Sequence, residues 1–92
     1  MRIRWTEPAA RDFTHICDYT EDHEGSEAAR RVARRIYEGL SSLTQFPRRG
    51  RSGRSPGTRE FVFTGLPFLA VYRVGDDFVE IDRILHDAQK WP

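Results

Sequence analysis

The sequence contains a single cysteine, Cys17, and no apolar stretch near the roughly 18 residues that a membrane-spanning helix needs. One cysteine cannot form an internal disulfide, and this usage is typical of a reducing compartment. The first residues, Met1 to Trp5, are not followed by an apolar signal region. We therefore expect a cytoplasmic protein that makes no membrane contact.

The residue patterns of several chemistries are also missing. No glycine-rich segment precedes a predicted helix, no Cys/His cluster occurs, and no Ser, His and Asp have the spacing of a hydrolase triad. His15, His23 and His86 lack the spacing of metal ligands. A chain of 92 residues that is 38% apolar can form one core but not a large ligand cavity as well. The sequence thus predicts one domain, residues 1–92, without a metal or other cofactor.

Lysine is nearly absent too: the sequence contains one lysine, Lys90, and fourteen arginines. The net charge is only +1, but the charges are unevenly distributed. Between residues 47 and 59 there is no acid and there are five arginines: Arg48, Arg49, Arg51, Arg54 and Arg59. Such a segment can bind phosphates or an acidic protein surface. The alternative is a solvated loop whose charge only aids solubility, and the composition leaves both open.

The first half of the chain predicts a strand and a helical hairpin. Ile3 and Trp5 alternate with arginines, as in a half-buried strand. A helix should begin at residues 6–8 and end near Gly25. Ser26 can cap a second helix, whose apolar stripe runs from residue 29 to 46 and is stopped by Pro47. The short connection predicts antiparallel packing of the two helices.

The second half predicts an antiparallel meander. Residues 47–58, which we call the arginine loop, have no apolar side chain for a core. Residues 59–64, 68–74 and 78–85 are rich in β-branched and aromatic side chains and are separated by turn sequences. We therefore predict an α+β fold, in which an N-terminal strand, a two-helix antiparallel hairpin and a three-stranded antiparallel meander form two layers.

A polar cluster is predicted at the end of the last strand. Arg83 and His86 should lie near Arg59 and Glu60 of a neighbouring strand, with Tyr72 close by. Such side chains can cleave RNA without a metal, with His86 or Glu60 as general acid or base and arginines stabilising the phosphorane. The alternative is a structural strand end with cross-strand Arg–Glu pairs, which the spacing alone favours.

The whole chain resembles toxins of the RelE/ParE family. The likeness rests on an ordered series of segments rather than on one motif: residues 3–6 with Ala9 and Ala10, Ala28 and Ala29, Leu43, Phe46 and Pro47, Gly50 and Arg51, residues 57–60, residues 71–74, and residues 86–92. The resemblance implies the same fold and an antitoxin partner, whose disordered C-terminal segment folds onto the toxin. We expect that segment to lie in an apolar groove beside the helical hairpin and to reach the arginine loop.

The resemblance also implies one of two targets. RelE-like toxins cleave mRNA in the ribosome, whereas ParE-like toxins bind DNA gyrase without cleaving anything. A sequence pI of about 8.0 and an apolar residue at Leu69, where nuclease-type members tend to have an arginine, favour gyrase. The expected contact residues for target or antitoxin are Arg48, Arg49, Arg51, Arg54 and Trp91. Operator DNA should be bound only through the antitoxin, because this chain offers no DNA-reading motif.

Overall fold

The computed structural model describes residues 1–88, which form two helices and a five-stranded sheet. In chain order the elements are β1 (Arg2–Trp5), α1 (Glu7–Glu24), α2 (Ser26–Ser42), β2 (Arg51–Ser52), β3 (Arg59–Val62), β4 (Phe68–Val74) and β5 (Phe78–His86). The sheet order is β1-β5-β4-β3-β2, with β1 parallel to β5 and all other neighbours antiparallel. This confirms the predicted α+β fold with its N-terminal strand, helical hairpin and meander.

Thr6 starts the first helix and also joins it to the sheet. Its hydroxyl oxygen accepts a hydrogen bond from the backbone N–H of Ala9 at 3.2 Å. The hydroxyl proton points to the carbonyl oxygens of Ile81 and Asp82, which lie 3.1 and 2.9 Å away. Pro8 occupies the first turn, where its missing N–H costs nothing. The predicted start of this helix is confirmed.

The second helix differs from its prediction at both ends. Ser26 is the first helical residue and caps nothing, because Gly25 alone, at φ 96°, makes the connection between the helices. The helix ends at Ser42, where a tighter turn follows, and therefore not at Pro47. Phe46 lies beyond that end and is 61% exposed, so its assignment to the apolar stripe was wrong.

A short strand interrupts the arginine loop. Within the segment predicted as a loop, β2 pairs with the start of β3, with Arg51 opposite Glu60 and Ser52 opposite Arg59. The predicted strand 59–64 is shorter in the structure and ends at Val62, and the last strand continues one residue further, to His86. The loop is therefore an edge of the sheet, which explains why it can contribute ordered side chains.

The hairpin covers one face of the sheet, and we call the opposite face the outer face. The main core lies between the hairpin and the sheet, and its fully buried side chains include Ile36, Leu40, Leu43, Tyr72, Val79 and Ile81. The outer face carries a smaller buried cluster of Leu69, Val71 and Leu85, which alternate with the core residues along β4 and β5. Within residues 1–88, neither helix has the length and apolar character that crossing a membrane requires.

Asp12 ties the first helix to the last strand. Its two carboxylate oxygens accept a forked pair of hydrogen bonds from Arg83, at 2.7 Å from Nε and 3.0 Å from Nη2. The same carboxylate accepts the backbone N–H of the buried Ile84 at 2.9 Å. β5 is irregular here, because the register against β4 shifts between Val71 and Tyr72. Asp12 therefore binds a backbone group of a strand made irregular by a bulge.

We predict that Asp12→Ala destabilises the protein by about 2 kcal/mol, because the N–H of Ile84 and the guanidinium of Arg83 both lose their acceptor. Asp22→Ala, on the exposed part of the same helix, should change the free energy of unfolding by less than about 0.5 kcal/mol. Chemical denaturation of both variants measures the difference. Equal stability of the two variants would contradict the role given to Asp12.

Candidate functional site

Tyr72 fixes the start of the arginine loop. Its side chain is fully buried, and its hydroxyl accepts the N–H of Gly50 at 2.9 Å and donates to the carbonyl of Pro47 at 2.7 Å. Burial raises the pKa of the phenol, against smaller opposing effects of the Gly50 hydrogen bond and the Arg59 charge. A side chain at Gly50 would meet the Tyr72 hydroxyl at 2.7 Å, so this close approach requires glycine. The phenol thus positions the loop and stays neutral.

Glu60 fixes the middle of the loop from the outer face. Its side chain is only 2% exposed, and Oε1 accepts hydrogen bonds from Nε and Nη2 of Arg51 at 3.3 and 3.1 Å. Oε2 accepts the backbone N–H of Arg54 at 3.1 Å. Burial by itself would raise the pKa of Glu60, but the hydrogen bonds and the charges of Arg51 and Arg54 outweigh it, so the pKa lies below its ordinary value. Glu60 is therefore an ionised structural partner of the loop.

The five arginines between residues 47 and 59 have different environments. Arg51 and Arg54 are neighbours of the Glu60 carboxylate, whereas Arg49 lies over the ring of Phe61 at 5.4 Å. The Nη1 of Arg59 donates to the carbonyls of Gly50 at 2.7 Å and Arg48 at 3.4 Å. The arginine loop is therefore not uniformly solvated, because several of its arginines contact other groups of the protein.

The predicted polar cluster does not form. Arg59 and Tyr72 are cross-strand partners, but His86 lies opposite Phe68. Phe68 precedes Tyr72 by four residues, which separates the two positions by about 13 Å along an extended strand. The ring of His86 packs edge-on against Phe68, and Arg83 pairs with Asp12 of α1. The strand-end prediction was wrong for two reasons. His86 lies opposite Phe68, away from Arg59 and Glu60, and the side chain of Arg83, although Arg83 is in register with Val71 and Glu60, pairs with Asp12 of α1. Arg59 lies opposite Tyr72, whereas Glu60 lies opposite Val71 and points to the other face of the sheet; Arg83 and His86 do not join them.

The outer face carries ion pairs that the sequence analysis missed. Arg4 pairs with Glu80, and Arg73 pairs with Asp82, each at 2.8 Å. Burial, followed by a hydrogen bond to Glu80, raises the pKa of Asp82, while the hydrogen bond from Arg4 is the largest effect lowering that of Glu80. The alternation of residues 78–82 was the available signal, since it puts both carboxylates on the face opposite Val79 and Ile81.

Two further expectations concern the contact residue Trp91 and metal binding. Trp91 lies outside the described residues. Within residues 1–88, no group of three or more His, Cys, Asp and Glu side chains is arranged to hold a metal ion.

We predict that Tyr72→Phe keeps the core packed but accelerates hydrogen exchange at the Gly50 amide, because the N–H loses its buried acceptor. The free energy of unfolding should fall by about 1 kcal/mol, as for one hydrogen-bonding group. Exchange measured by NMR tests this, with the Gly25 amide, which donates to the Glu21 carbonyl, as the internal reference. Unchanged exchange at Gly50 would mean that the phenol does not hold the loop.

The lowered pKa of Glu60 predicts a pH-dependent contribution to stability. A carboxylate whose pKa is lower in the folded state stabilises the protein above its unfolded pKa, about 4.3, and this stabilisation is lost as the pH falls through the folded value. The stability advantage of the wild type over Glu60→Gln should therefore be constant from pH 7 to about 5 and shrink below that. Urea denaturation of both proteins across this range measures it. A difference that grows on acidification would have the wrong sign.

Comparison with known proteins places this geometry in a family. The family model of the ParE toxin of the type II toxin–antitoxin system, parDE, matches residues 3–91. The chain is 42% identical to a putative toxin, Y4kP, of Sinorhizobium fredii over 91 residues, covering 99% of this chain and 93% of that one. It is also 36% identical over 88 residues to toxin RelE2 of Caulobacter vibrioides, covering 96% and 97% of the two chains.

A solved structure agrees with these relatives. The chain superposes with a TM-score of 0.86 on a chain of the chromosomal ParDE toxin–antitoxin system from P. aeruginosa, at 32% identity, covering 94% of this chain and 95% of that one. The two-helix hairpin on a five-stranded sheet is thus shared along almost the whole length. The chain belongs to the ParE toxin family of type II toxin–antitoxin systems.

Proposed function

We propose that this toxin acts in the cytoplasm, inhibits DNA gyrase by protein contact, and is neutralised by a cognate antitoxin. The antitoxin follows from the relatives, which are described as toxins or as part of a toxin–antitoxin system. The charges of the sheet support a binding mode over RNA cleavage.

The neutralised outer face is the observation that carries the proposal. Metal-free RNA cleavage needs cations directed at the reacting phosphate and an acid or base within reach of the transferred proton. Here Leu69, Val71 and Leu85 form an apolar centre, and the arginines around it pair with carboxylates. A phosphodiester on this face would meet arginines that are already engaged by Glu60, Glu80 and Asp82.

The predicted acid–base residues are also poorly placed for cleavage. Tyr72 is buried and both its hydrogen-bonding functions are used by the loop backbone. Glu60 is 2% exposed and engaged by Arg51. His86 is solvent-accessible, but it lies at the other end of β4 from both. These positions favour binding over catalysis.

We assign the gyrase contact to Phe46 and the first residues of the arginine loop. Phe46 is 61% exposed and, together with Pro47, Arg48 and Arg49, lines a shallow depression. Aromatic and arginine side chains dominate the binding energy of many protein interfaces. Because Phe46 is absent from the core, it can be changed without loss of folding.

The proposal predicts that the purified toxin inhibits supercoiling by gyrase at micromolar concentration and produces no new mRNA 5′ ends in a translating extract. Phe46→Ala should weaken inhibition by roughly tenfold, as for the loss of an interface aromatic. Tyr19→Ala, which removes another exposed aromatic ring, from α1, is the matched control and should inhibit normally. New 5′ ends together with unaffected supercoiling would overturn the proposal in favour of a ribosome-dependent endoribonuclease.

A further inference from the structure

A groove lies between the arginine loop and the β4–β5 turn, next to the depression at Phe46, with which it shares Arg48. It has a volume of about 600 Å³, and its walls include Arg48, Ser55, Pro56, Arg59, Val74 and Asp76. Val74 is 39% exposed and, with Pro56, gives the groove an apolar side. The two arginines form its cationic side.

The guanidinium of Arg59 is positioned by the backbone. Its Nη1 donates to the carbonyls of Gly50 and Arg48, and the loop that carries these carbonyls is itself fixed by Tyr72. Within residues 1–88, the Nε and Nη2 of Arg59 and the guanidinium of Arg48 have no hydrogen-bonding partner or ion pair. A half-buried, oriented guanidinium with unused donors is suited to a planar anion, because two parallel hydrogen bonds can form at once.

We propose that this groove binds a carboxylate of an acidic peptide segment, with an apolar neighbour of that carboxylate against Pro56 and Val74, and that the segment belongs to the antitoxin. This assignment rests on the antitoxin partner of the proposed function and names where its charge is recognised. Arg59 and Arg48 supply the charge-assisted hydrogen bonds.

The charges favour a peptide over a nucleic acid. A nucleic-acid strand presents phosphates at regular short intervals and needs a row of cations. The next arginines along the loop, Arg51 and Arg54, are neighbours of Glu60 and cannot extend such a row. Asp76 lies in the wall of the same groove, where it would repel a second phosphate. Two available guanidinium groups beside an apolar wall match one carboxylate on a peptide.

The test measures binding of the toxin to its cognate antitoxin by calorimetry, in wild type and variants. Arg48→Gln removes a guanidinium without a partner in residues 1–88, so folding is retained. Arg59→Lys keeps the positive charge but cannot form the two parallel hydrogen bonds of a guanidinium. Each should weaken binding by roughly tenfold or more, and the weakening caused by Arg48→Gln, which removes a charge, should fall at high salt. Arg34→Gln, which removes an exposed arginine of α2, is the control and should bind within about twofold of wild type.

A second titration with a short DNA duplex separates the alternatives. Wild-type affinity for the antitoxin in both groove variants would overturn the site while leaving the antitoxin partner intact. If the groove variants lose affinity for the DNA duplex but keep wild-type affinity for the antitoxin, the groove is a nucleic-acid site and the peptide assignment is overturned. A wild-type toxin that binds no antitoxin would overturn the proposed partner itself.

Discussion

A buried carboxylate must have partners, and the partners of Glu60 determine the shape of the arginine loop. Withdrawing this charge from water is tolerable only because Arg51 and the backbone N–H of Arg54 approach it from the loop. The loop is thereby brought against the sheet edge, where β2 pairs with β3. Tyr72 holds the loop from the opposite face of the sheet, so that the backbone of the loop is fixed from two sides.

The same principle extends across the outer face. Arginines on this face lie beside carboxylates: Arg4 pairs with Glu80 and Arg73 with Asp82, while Arg51 and Arg54 share Glu60. Such pairs add little stability at an exposed surface. Their effect is electrostatic, because they reduce the positive charge that a phosphate ligand would meet on this face. Cationic character is left instead at the margin of the sheet, around Arg48, Arg49 and Arg59.

The fold was predictable to the extent that it depends on periodicity and on turn residues. The period-2 strand at Ile3 and Trp5, the helical stripe and the turns at Gly65 and Gly75 give the correct layers. Helix ends were less predictable, because a tight turn at Leu43 ends α2 before Pro47 does. The strand β2 was missed because its two residues have neither apolar periodicity nor β-branched side chains. It is held against β3 by Glu60, which lies opposite Arg51 and accepts its hydrogen bonds.

The candidate site was harder to predict than the fold. Sequence spacing placed Arg59 and Tyr72 near each other, and the register of β3 and β4 makes them cross-strand partners, whereas Glu60 lies opposite Val71. It could not show that Asp12, more than 70 positions away in sequence, binds Arg83. Long-range pairs of this kind depend on the tertiary path of α1 over β5. The difference between a solvated and a paired arginine was also beyond local sequence, because its partner lies on another strand.

The parallel pairing of β1 with β5 has a consequence for the order of synthesis. The first strand made is an edge of the sheet, and its only strand neighbour within residues 1–88 is the last strand made, with Arg4 and Glu80 separated by 76 positions. Until β5 has left the ribosome, β1 has no strand to pair with and Thr6 has no carbonyl of Ile81 or Asp82 to bind. The growing chain therefore cannot complete its sheet before residues 78–86 have been translated, and the groove, whose walls extend from Arg48 to Asp76, is made only shortly before that strand.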